Sequence, residues 1–395
     1  MVWRKMLQQE SEHQWLAISA FFVFVLIGAI FLRGTSHLPG IDMTDNELGL
    51  EHRIIESVYL DSNNYVALEY SAGEYNLVSV NNGEPDYILA EMTDYDESRI
   101  NNLELLTNDS VLIGNALDNM LLHDGSSISP FTTNYGDADF LTTNIKQSSD
   151  EEQNYLMITL ESDNNRSIRG LNSSGITSAE TQNLANVDWE KIQHISNDLW
   201  MLSGRYNQPA TTGDESPAAP NLKPVWATVL WNGGYIAPMF EKLHIGEYGE
   251  YHSMINLNQE KIIIAGTHET ILFDYTTGSV ENIGYSSVSG VADKHDSAWL
   301  FNGKDSRSVL RFHDESWEVK SLPHVIPLTV ETTGFDGETI YLHGIDDNGA
   351  AKVMTFDTTA VGSIESGSGF INLAFIIISL VMFAVMTVNI SDKFR

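Results

Sequence analysis

Acidic side chains are the most abundant groups in this sequence that could do chemistry. The 395 residues include 54 Asp and Glu but only 21 Lys and Arg, so the net charge is −33. A pair of carboxylates can hydrolyse a glycosidic bond, but with so many acids the sequence does not single out a pair. So acidic a surface repels phosphate backbones, which excludes nucleic acid as a partner.

Other catalytic signatures are missing from the sequence. There is no cysteine, which excludes thiolate catalysis, disulfides and Cys-ligated metal. None of the 12 histidines has the spacing His-Glu-x-x-His. The sequence also has no Gly-x-Ser-x-Gly elbow, no Walker loop and no Gly-x-Gly-x-x-Gly fingerprint. The sequence therefore favours a binding protein over an enzyme, and no cofactor is predicted.

Two Asp-rich turns offer oxygen ligands of the kind that calcium prefers. They are Asp346-Asp347-Asn348-Gly349 and Asp61-Ser62-Asn63-Asn64. Neither has the spacing of an EF-hand loop with its distal glutamate. Asp and Asn also form turns without any metal, so calcium is an alternative and not the main prediction.

Aromatic residues flank a proline-rich stretch, residues 207–224, and could bind a partner. Trp226, Trp231 and Tyr235 follow this stretch closely. Aromatic residues are also common in the cores of strands, which is the simpler explanation. If the proline-rich loop stands on one face of the domain, these three residues predict a site for a protein or glycan partner.

Two long apolar segments predict helices that bind membrane lipid. Residues 15–32, WLAISAFFVFVLIGAIFL, and residues 371–390, INLAFIIISLVMFAVMTVNI, contain no charged side chain. At 1.5 Å per residue each is long enough to span roughly 30 Å of hydrocarbon. A cleaved signal peptide is the alternative for the first segment, but its apolar run is too long and no small-x-small site follows it.

The orientation in the membrane follows from the basic residues beside these segments. Arg4 and Lys5 precede the first segment, and Lys393 and Arg395 follow the second. Both termini are therefore predicted to be cytoplasmic, with the large domain on the extracytoplasmic side of the plasma membrane. Three sequons are compatible with glycosylation there, at Asn108, Asn165 and Asn172.

Between the apolar segments the sequence repeats one pattern seven times. Each passage has an apolar strand, a polar turn, a second apolar strand and a tight turn. One marker residue in each tight turn recurs at intervals of 37 to 58 residues: Asn82, Asp124, Ser174, Asn232, Thr277, Asp314 and Asp357. A propeller blade of four strands takes about 40–50 residues. The longest interval includes residues 207–224, which are predicted to be a loop inserted into the fourth blade.

One of the repeats resembles the blades of WD40 and related propellers, including YVTN and PQQ-like repeats. Phe273-Asp274 ends an apolar run and is followed by Thr277-Gly278, and Phe356-Asp357 recurs in the last repeat. The chain lacks the Gly-His dipeptide of regular WD40 repeats. The resemblance implies an all-β fold, a β-propeller with seven blades. A pair of β-sandwiches or a β-solenoid would use the same turn chemistry.

The predicted domain order places the propeller between two membrane helices. Its parts are a cytoplasmic tail (1–14), a helix (15–32), a linker (33–50), the propeller (51–361), a linker (362–370), a helix (371–390) and a tail (391–395). The leading functional hypothesis is a membrane-anchored module that binds or scaffolds a protein or glycan. The alternatives are an extracellular hydrolase with carboxylates in the propeller channel and a structural subunit of a membrane complex.

Overall fold

The strands of the chain form seven four-stranded sheets. The computed structural model describes residues 21–26, 28, 41–42, 53–71, 74–87, 102–106, 109–114, 120–124, 127–131, 140–150, 153–161, 165–178, 184, 186–208, 221–234, 236–257, 260–302, 307–322, 325–357, 375–380 and 383. In six sheets the four strands are consecutive in the chain and lie side by side in that order. Such a series of sheets, each built from one stretch of sequence, is the blade architecture of a propeller.

The blades are numbered in chain order. Blades 1 to 3 consist of β2 (Arg53–Tyr59), β3 (Tyr65–Ser71), β4 (Glu74–Asn81) and β5 (Glu84–Tyr87); β6 (Leu103–Leu105), β7 (Val111–Ile113), β8 (Leu121–His123) and β9 (Ile128–Pro130); and β10 (Leu141–Gln147), β11 (Tyr155–Leu160), β12 (Arg166–Asn172) and β13 (Gly175–Ile176). Blades 4 to 6 consist of β14 (Val187–Ser196), β15 (Leu199–Gln208), β16 (Asn221–Leu230) and β17 (Met239–Ile245); β18 (Tyr251–Leu257), β19 (Lys261–Gly266), β20 (Thr270–Asp274) and β21 (Ser279–Asn282); and β22 (Ser289–Ala292), β23 (Ala298–Phe301), β24 (Ser308–His313) and β25 (Ser316–Ser321). Blade 7 consists of β26 (Thr329–Phe335), β27 (Thr339–Ile345), β28 (Ala351–Asp357) and β1 (Ile41–Asp42).

The burial of each strand follows its place in the blade. Strand β19, KIIIAG, is buried along its whole length, because it lies in the middle of a sheet that neighbouring blades cover on both faces. The outermost strand of the same blade, β21, has the sequence SVEN and is exposed at every residue. Asn82 and Gly83 both have positive φ, as a two-residue hairpin turn between β4 and β5 requires.

The hydrophobic core is divided among the contacts between blades. Leu156 and Ile158 of blade 3, for example, pack in one cluster with Trp189 and Trp200 of blade 4. An equivalent cluster joins blade 1 to blade 7 through Tyr59, Tyr65 and Tyr341, among others, so the ring of blades is closed. The chain is therefore a seven-bladed propeller, which confirms the prediction from the repeats.

The seven marker residues lie at equivalent places in the seven blades. Six lie in the turn between the third and fourth strands, and Asp357 is the last residue of β28. The sequence repeat therefore has the same phase as the structural repeat. The origin of the fourth strand of blade 7 was not predicted: it is β1, from the N-terminal side of the domain.

The proline-rich insertion in blade 4 is shorter than predicted. Strand β15 continues to Gln208 and β16 begins at Asn221. Pro224, predicted to be in the loop, pairs with Arg205 inside the sheet. The carbonyl of Pro224 still accepts a hydrogen bond from the backbone N–H of Gly246, and proline lacks only the N–H group. Residues 209–220 lie outside the described part of the chain.

The predicted membrane helices lie largely outside the described residues. Residues 21–26 with 28, and 375–380 with 383, are helical. The rings of Phe24 and Phe375 are in contact, with centroids 5.5 Å apart, and a Cβ atom at Gly28 would overlap the ring of Phe375. Within the described residues, no helix is both long and apolar enough to cross a membrane. The two spans stay a prediction, as do the tails and linkers beside them.

Candidate functional site: the central cavity

The innermost strand of five blades contains a β-bulge near its beginning. At each of these bulges one residue has no partner on the second strand; these bulged residues are Ile55, Thr143, Glu190, His252 and Glu331. A bulge changes the direction of its side chains, and bulges are common beside functional sites. All five bulged residues, and the residue that follows each of them, line a single cavity.

Glycine lies opposite the bulge in three of these blades. Gly204, Gly266 and Gly344 pair with the residue just before the bulge. A Cβ atom at any of the three would overlap a backbone carbonyl of the innermost strand, so the two backbones can come this close only at glycine. The runs that contain these glycines, MLSG, IIAG and YLHG, are therefore the sequence signal for the residues that line the cavity. The turn markers alone do not reveal them.

The cavity lies where the innermost strands of the blades converge. It has a volume of about 440 Å³, which lies within the range of small-molecule sites. Every blade contributes to its wall, with Glu56, Asn102, Lys146, Glu190, His252, Ser289 and Glu331 among the polar lining residues. The described residues that line it include no Phe, Tyr or Trp. The cavity is thus the polar channel of the propeller.

Most of the carboxylates that line the cavity are paired with a basic side chain. The pairs are Glu104 with Lys146, Glu190 with Arg205, and Glu331 with Arg53. The distance is 2.9 Å between Glu104 and Lys146, and the backbone N–H of Gln147 donates a further hydrogen bond to Glu104. The charges of the cavity wall are therefore largely compensated, although the chain as a whole has a net charge of −33.

Glu56 is the exception among these carboxylates. In the described part of the chain no salt bridge involves it. Burial raises the pKa of Glu56 to about 7, although Lys191 and the backbone N–H of Leu103 act to lower it. Burial also raises the pKa of the neighbouring Glu104, against the effect of Lys146. Near neutral pH, Glu56 therefore exchanges between a hydrogen-bond-donating acid and an accepting carboxylate, a property typical of functional sites.

Side chains bind the innermost strands of neighbouring blades to each other. An innermost strand is the edge of its sheet, and its free backbone groups need partners. The backbone N–H of Ile145 in blade 3 donates to Oδ1 of Asn102, at 3.2 Å. Nδ2 of Asn256 in blade 5 donates to the carbonyl of His194 in blade 4, at 2.9 Å. These bonds hold the wall of the cavity in place.

Three buried polar atoms beside the cavity have no hydrogen-bond partner among the described residues. They are Nδ2 of Asn102, Nε2 of His252 and Oγ of Ser253. Asn102 is only 2 % exposed. Burial lowers the pKa of His252, so its ring is neutral at pH 7. An unpaired buried polar group costs about 1–3 kcal/mol, so a hydrogen bond from a bound molecule to any of these atoms would stabilise the folded chain.

The two Asp-rich turns use their carboxylates within the turns. Oδ1 of Asp61 accepts hydrogen bonds from the backbone N–H groups of Asn63 and Asn64, at 2.8 and 2.9 Å. Oδ1 of Asp346 accepts from Asn348 and Ala350 in the same way. Among the residues with a described position, no group of three or more acidic or histidine side chains is arranged to hold a metal. Calcium binding stays an untested alternative.

The predicted aromatic partner site has two of its three residues in the core. Trp226 is 3 % exposed and packs on Phe273, with ring centroids 5.5 Å apart. Trp231 is 4 % exposed, and its indole N–H donates to the carbonyl of Gly234. Trp231 also lines a second cavity, of about 400 Å³, beside blade 3. Tyr235 lies outside the described residues, and binding of a partner here stays a prediction.

The three sequons differ in their surroundings. Asn165 is exposed. The side chain of Asn172 accepts hydrogen bonds from the N–H groups of Ser174 and Gly175 and donates to the carbonyl of Gly233. A glycan on this nitrogen would compete with the bond to Gly233, so Asn165 is the better placed acceptor. Asn108 lies outside the described residues.

Comparison with solved structures supports the fold and not the function. No protein-family model and no curated protein matches the sequence. The extracellular domain of a one-component system from B. thetaiotaomicron is similar, with a TM-score of 0.51 and 11 % identity over 80 % of this chain and 40 % of that one. Kuenenia stuttgartiensis hydrazine synthase is also similar, with a TM-score of 0.51 and 9 % identity over 78 % of this chain and 97 % of that one. The chain thus spans about two fifths of the first protein, and at these identities only the fold is shared.

Proposed function

We propose that the chain is a binding module: a propeller held by two helices on the extracytoplasmic side of the plasma membrane, whose central cavity binds a protein or glycan partner. The observation that carries this proposal is the convergence of innermost strands on one polar cavity with unpaired buried hydrogen-bonding atoms. The similar fold of an extracellular domain from B. thetaiotaomicron is in keeping with this location.

The pairing of charges favours binding over catalysis. Glycoside hydrolysis requires two available carboxyl groups, one acidic and one ionised. Among the described lining residues, Glu104, Glu190 and Glu331 each have a basic partner, which leaves Glu56 alone. The cavity therefore has one candidate acid and lacks a free second carboxylate.

The proposed location can be tested because the chain has no cysteine of its own. A cysteine at exposed Gln153, between β10 and β11, should react with a membrane-impermeant maleimide on intact cells. A cysteine at Gln8, in the predicted cytoplasmic tail, should react only after the cells are permeabilised. The reverse pattern, or reaction at both positions on intact cells, would overturn the proposed orientation.

The proposed binding can be tested on the purified full chain. We expect at least one member of a panel of oligosaccharides and peptides to raise the midpoint of thermal unfolding in proportion to its concentration. Mass spectrometry should recover that compound unchanged after long incubation. If no member of the panel raises the midpoint, or if the compound is cleaved, the binding module is the wrong function.

A hydrolase is the second candidate, because Glu56 has a pKa of about 7 and could act as a general acid. The similar hydrazine synthase shows that this fold also occurs in an enzyme. If the chain cleaves a glycoside, Glu56→Gln should abolish the cleavage while the substrate still binds. Cleavage that survives this substitution would exclude Glu56 as the acid.

A further inference from the structure

The structure also indicates which class of ligand the cavity accepts. We propose that the cavity binds an uncharged molecule rich in hydroxyl groups, namely the end of a neutral oligosaccharide, and that Asn102, His252 and Ser253 donate and accept the hydrogen bonds that hold it. This inference rests on the proposed binding function and narrows it to one ligand class.

The charges of the cavity wall argue against a charged ligand. Three of the four lining carboxylates already have a basic partner, with distances of 2.9 Å for Glu104 and 2.6 Å for Glu331. Lys191 and Glu56 are the remaining charged lining residues, and they lie close enough to each other to interact electrostatically. A cationic or anionic ligand would have to break such a pair or compete with it, and would lose its own hydration on entry.

The unpaired atoms match hydroxyl groups in their hydrogen-bonding capacity. Oδ1 of Asn102 is occupied by the N–H of Ile145, and its buried Nδ2 keeps two N–H donors without a partner among the described residues. Oγ of Ser253 both donates and accepts, and Nε2 of His252 does one or the other according to its tautomer. A ligand hydroxyl can pair with all three atoms. A carboxylate or phosphate only accepts, so it pairs with His252 only when Nε2 carries the proton; an ammonium group only donates, so it cannot pair with Nδ2 of Asn102.

The shape of the wall indicates how such a ligand would be held. The described lining residues include no aromatic ring on which a sugar could stack. Bulged Thr143 and the threonines at 332 and 333 also line the wall, and the hydroxyl groups of Thr143 and Thr333 already donate to the carbonyls of Ile158 and Gly290. Recognition would therefore depend on hydrogen bonds to the edges of the sugar.

The test is ligand binding by saturation-transfer NMR. The full chain is purified in a polyethylene glycol ether detergent, because alkyl maltosides and glucosides themselves carry sugars. The probes are the neutral disaccharides cellobiose, maltose, lactose and N,N′-diacetylchitobiose, with charged analogues that contain glucosamine or glucuronic acid. We expect at least one neutral disaccharide to receive saturation and its charged analogues to receive none.

Variants then locate the site. Asn102→Asp keeps the shape and the bond to Ile145 but removes the N–H donors, and it should weaken binding by about tenfold, the effect of one buried hydrogen bond. Ser253→Ala removes only a hydroxyl group that has no hydrogen-bond partner among the described residues, and it should weaken binding by about fivefold. Asn348→Asp, in an exposed turn far along the chain from the cavity strands, is the matched control and should bind like the wild type.

Four results would overturn the inference. Three concern the probes: no disaccharide receives saturation, only the charged analogues do, or neutral and charged forms receive it equally. The fourth is binding that neither Asn102→Asp nor Ser253→Ala weakens. These results differ from a failure of the binding function itself. If the sugars do not bind but a peptide raises the unfolding midpoint, the ligand class is wrong and the binding module stands. If the bound sugar is cleaved, the binding function fails.

Discussion

The hydroxyl group of Tyr59 lies 2.9 Å from Nε2 of His343, and this hydrogen bond joins blade 1 to blade 7. The ring of Tyr59 also stacks on Tyr341, with centroids 4.3 Å apart and planes 8° from parallel. Burial raises the pKa of Tyr59 well above its usual value and lowers the pKa of His343 to about 3. Both groups are therefore uncharged near pH 7, and the join between the first and last blades is held by packing and a neutral hydrogen bond.

Removing this hydrogen bond should destabilise the propeller. Tyr59→Phe leaves Nε2 of His343 buried without a partner, so we expect the free energy of unfolding to fall by about 1–2 kcal/mol. Urea unfolding followed by tryptophan fluorescence at pH 7 measures the change. The control is Tyr70→Phe, at a half-buried tyrosine of blade 1, which should change stability by less than about 0.5 kcal/mol. Equal effects of the two substitutions would show that the bond contributes nothing specific.

The ionisation of Glu56 should make the stability of the chain fall as the pH rises. Its pKa increases from 4.5 to about 7 on folding, so between these values the folded state binds its proton more tightly than the unfolded state does. The stabilisation by the protonated form is complete below pH 4.5 and is lost as the pH rises through 7. Glu56→Gln should therefore match the wild type near pH 4.5 and be more stable at pH 8, by about 1–3 kcal/mol.

The measurement is the unfolding midpoint at several pH values between 4.5 and 8. The charged neighbours Lys191, Glu104 and Lys146 are unchanged in Glu56→Gln, so the difference from the wild type reports on Glu56 itself. Glu281→Gln, at an exposed site on β21, is the control, and its difference in unfolding midpoint from the wild type should not change with pH. If the difference in unfolding midpoint between Glu56→Gln and the wild type also does not change with pH, Glu56 is ionised throughout this range.

The glycine opposite a bulge should be needed for the shape of the cavity. A Cβ at Gly266 would lie 2.5 Å from the carbonyl oxygen of Glu250, so Gly266→Ala must push the innermost strand of blade 5 away. We expect a loss of about 1–3 kcal/mol in stability, together with weaker sugar binding, because His252 and Ser253 lie on that strand.

The control for this prediction is Gly337→Ala. Gly337 has a φ of 98° and open space around it, so alanine strains the backbone there without touching the cavity. Thermal unfolding should show a loss of about 1 kcal/mol or more, with unchanged affinity for the sugar. If Gly266→Ala leaves sugar affinity unchanged, the close approach of the two strands does not shape the site.

The contact between the two helical segments can be tested by cross-linking. Phe24 and Phe375 have ring centroids 5.5 Å apart, so a chain with cysteine at both positions should be joined by a short bifunctional maleimide. Phe22 is 65 % exposed, and a cysteine there should not pair with one at 375. Electrophoresis without reducing agent measures the yields, and a high yield from residue 22 would contradict the contact.

The number of blades could be predicted from the sequence because turn chemistry is local. Asn, Asp, Ser or Thr at each marker position, followed in most repeats by glycine, specifies a tight turn within about four residues. The predicted partner site depended on exposure, which is not a local property. Trp226 and Trp231 have the same sequence surroundings whether they face solvent or the neighbouring blade, and the structure buries both.

The sequence by itself determined the all-β fold, its seven repeats and the excess of acidic residues, because each of these depends on composition or on short runs of residues. Only the tertiary structure decided which of the 54 acidic residues face the cavity and which of those have a basic partner. The reason is that in two of the three pairs, Glu104 with Lys146 and Glu331 with Arg53, the two members come from different blades. Glu331 and Arg53 are 278 residues apart in the chain and meet only because the seventh blade closes on the first, whereas Glu56 has no salt-bridge partner among the described residues.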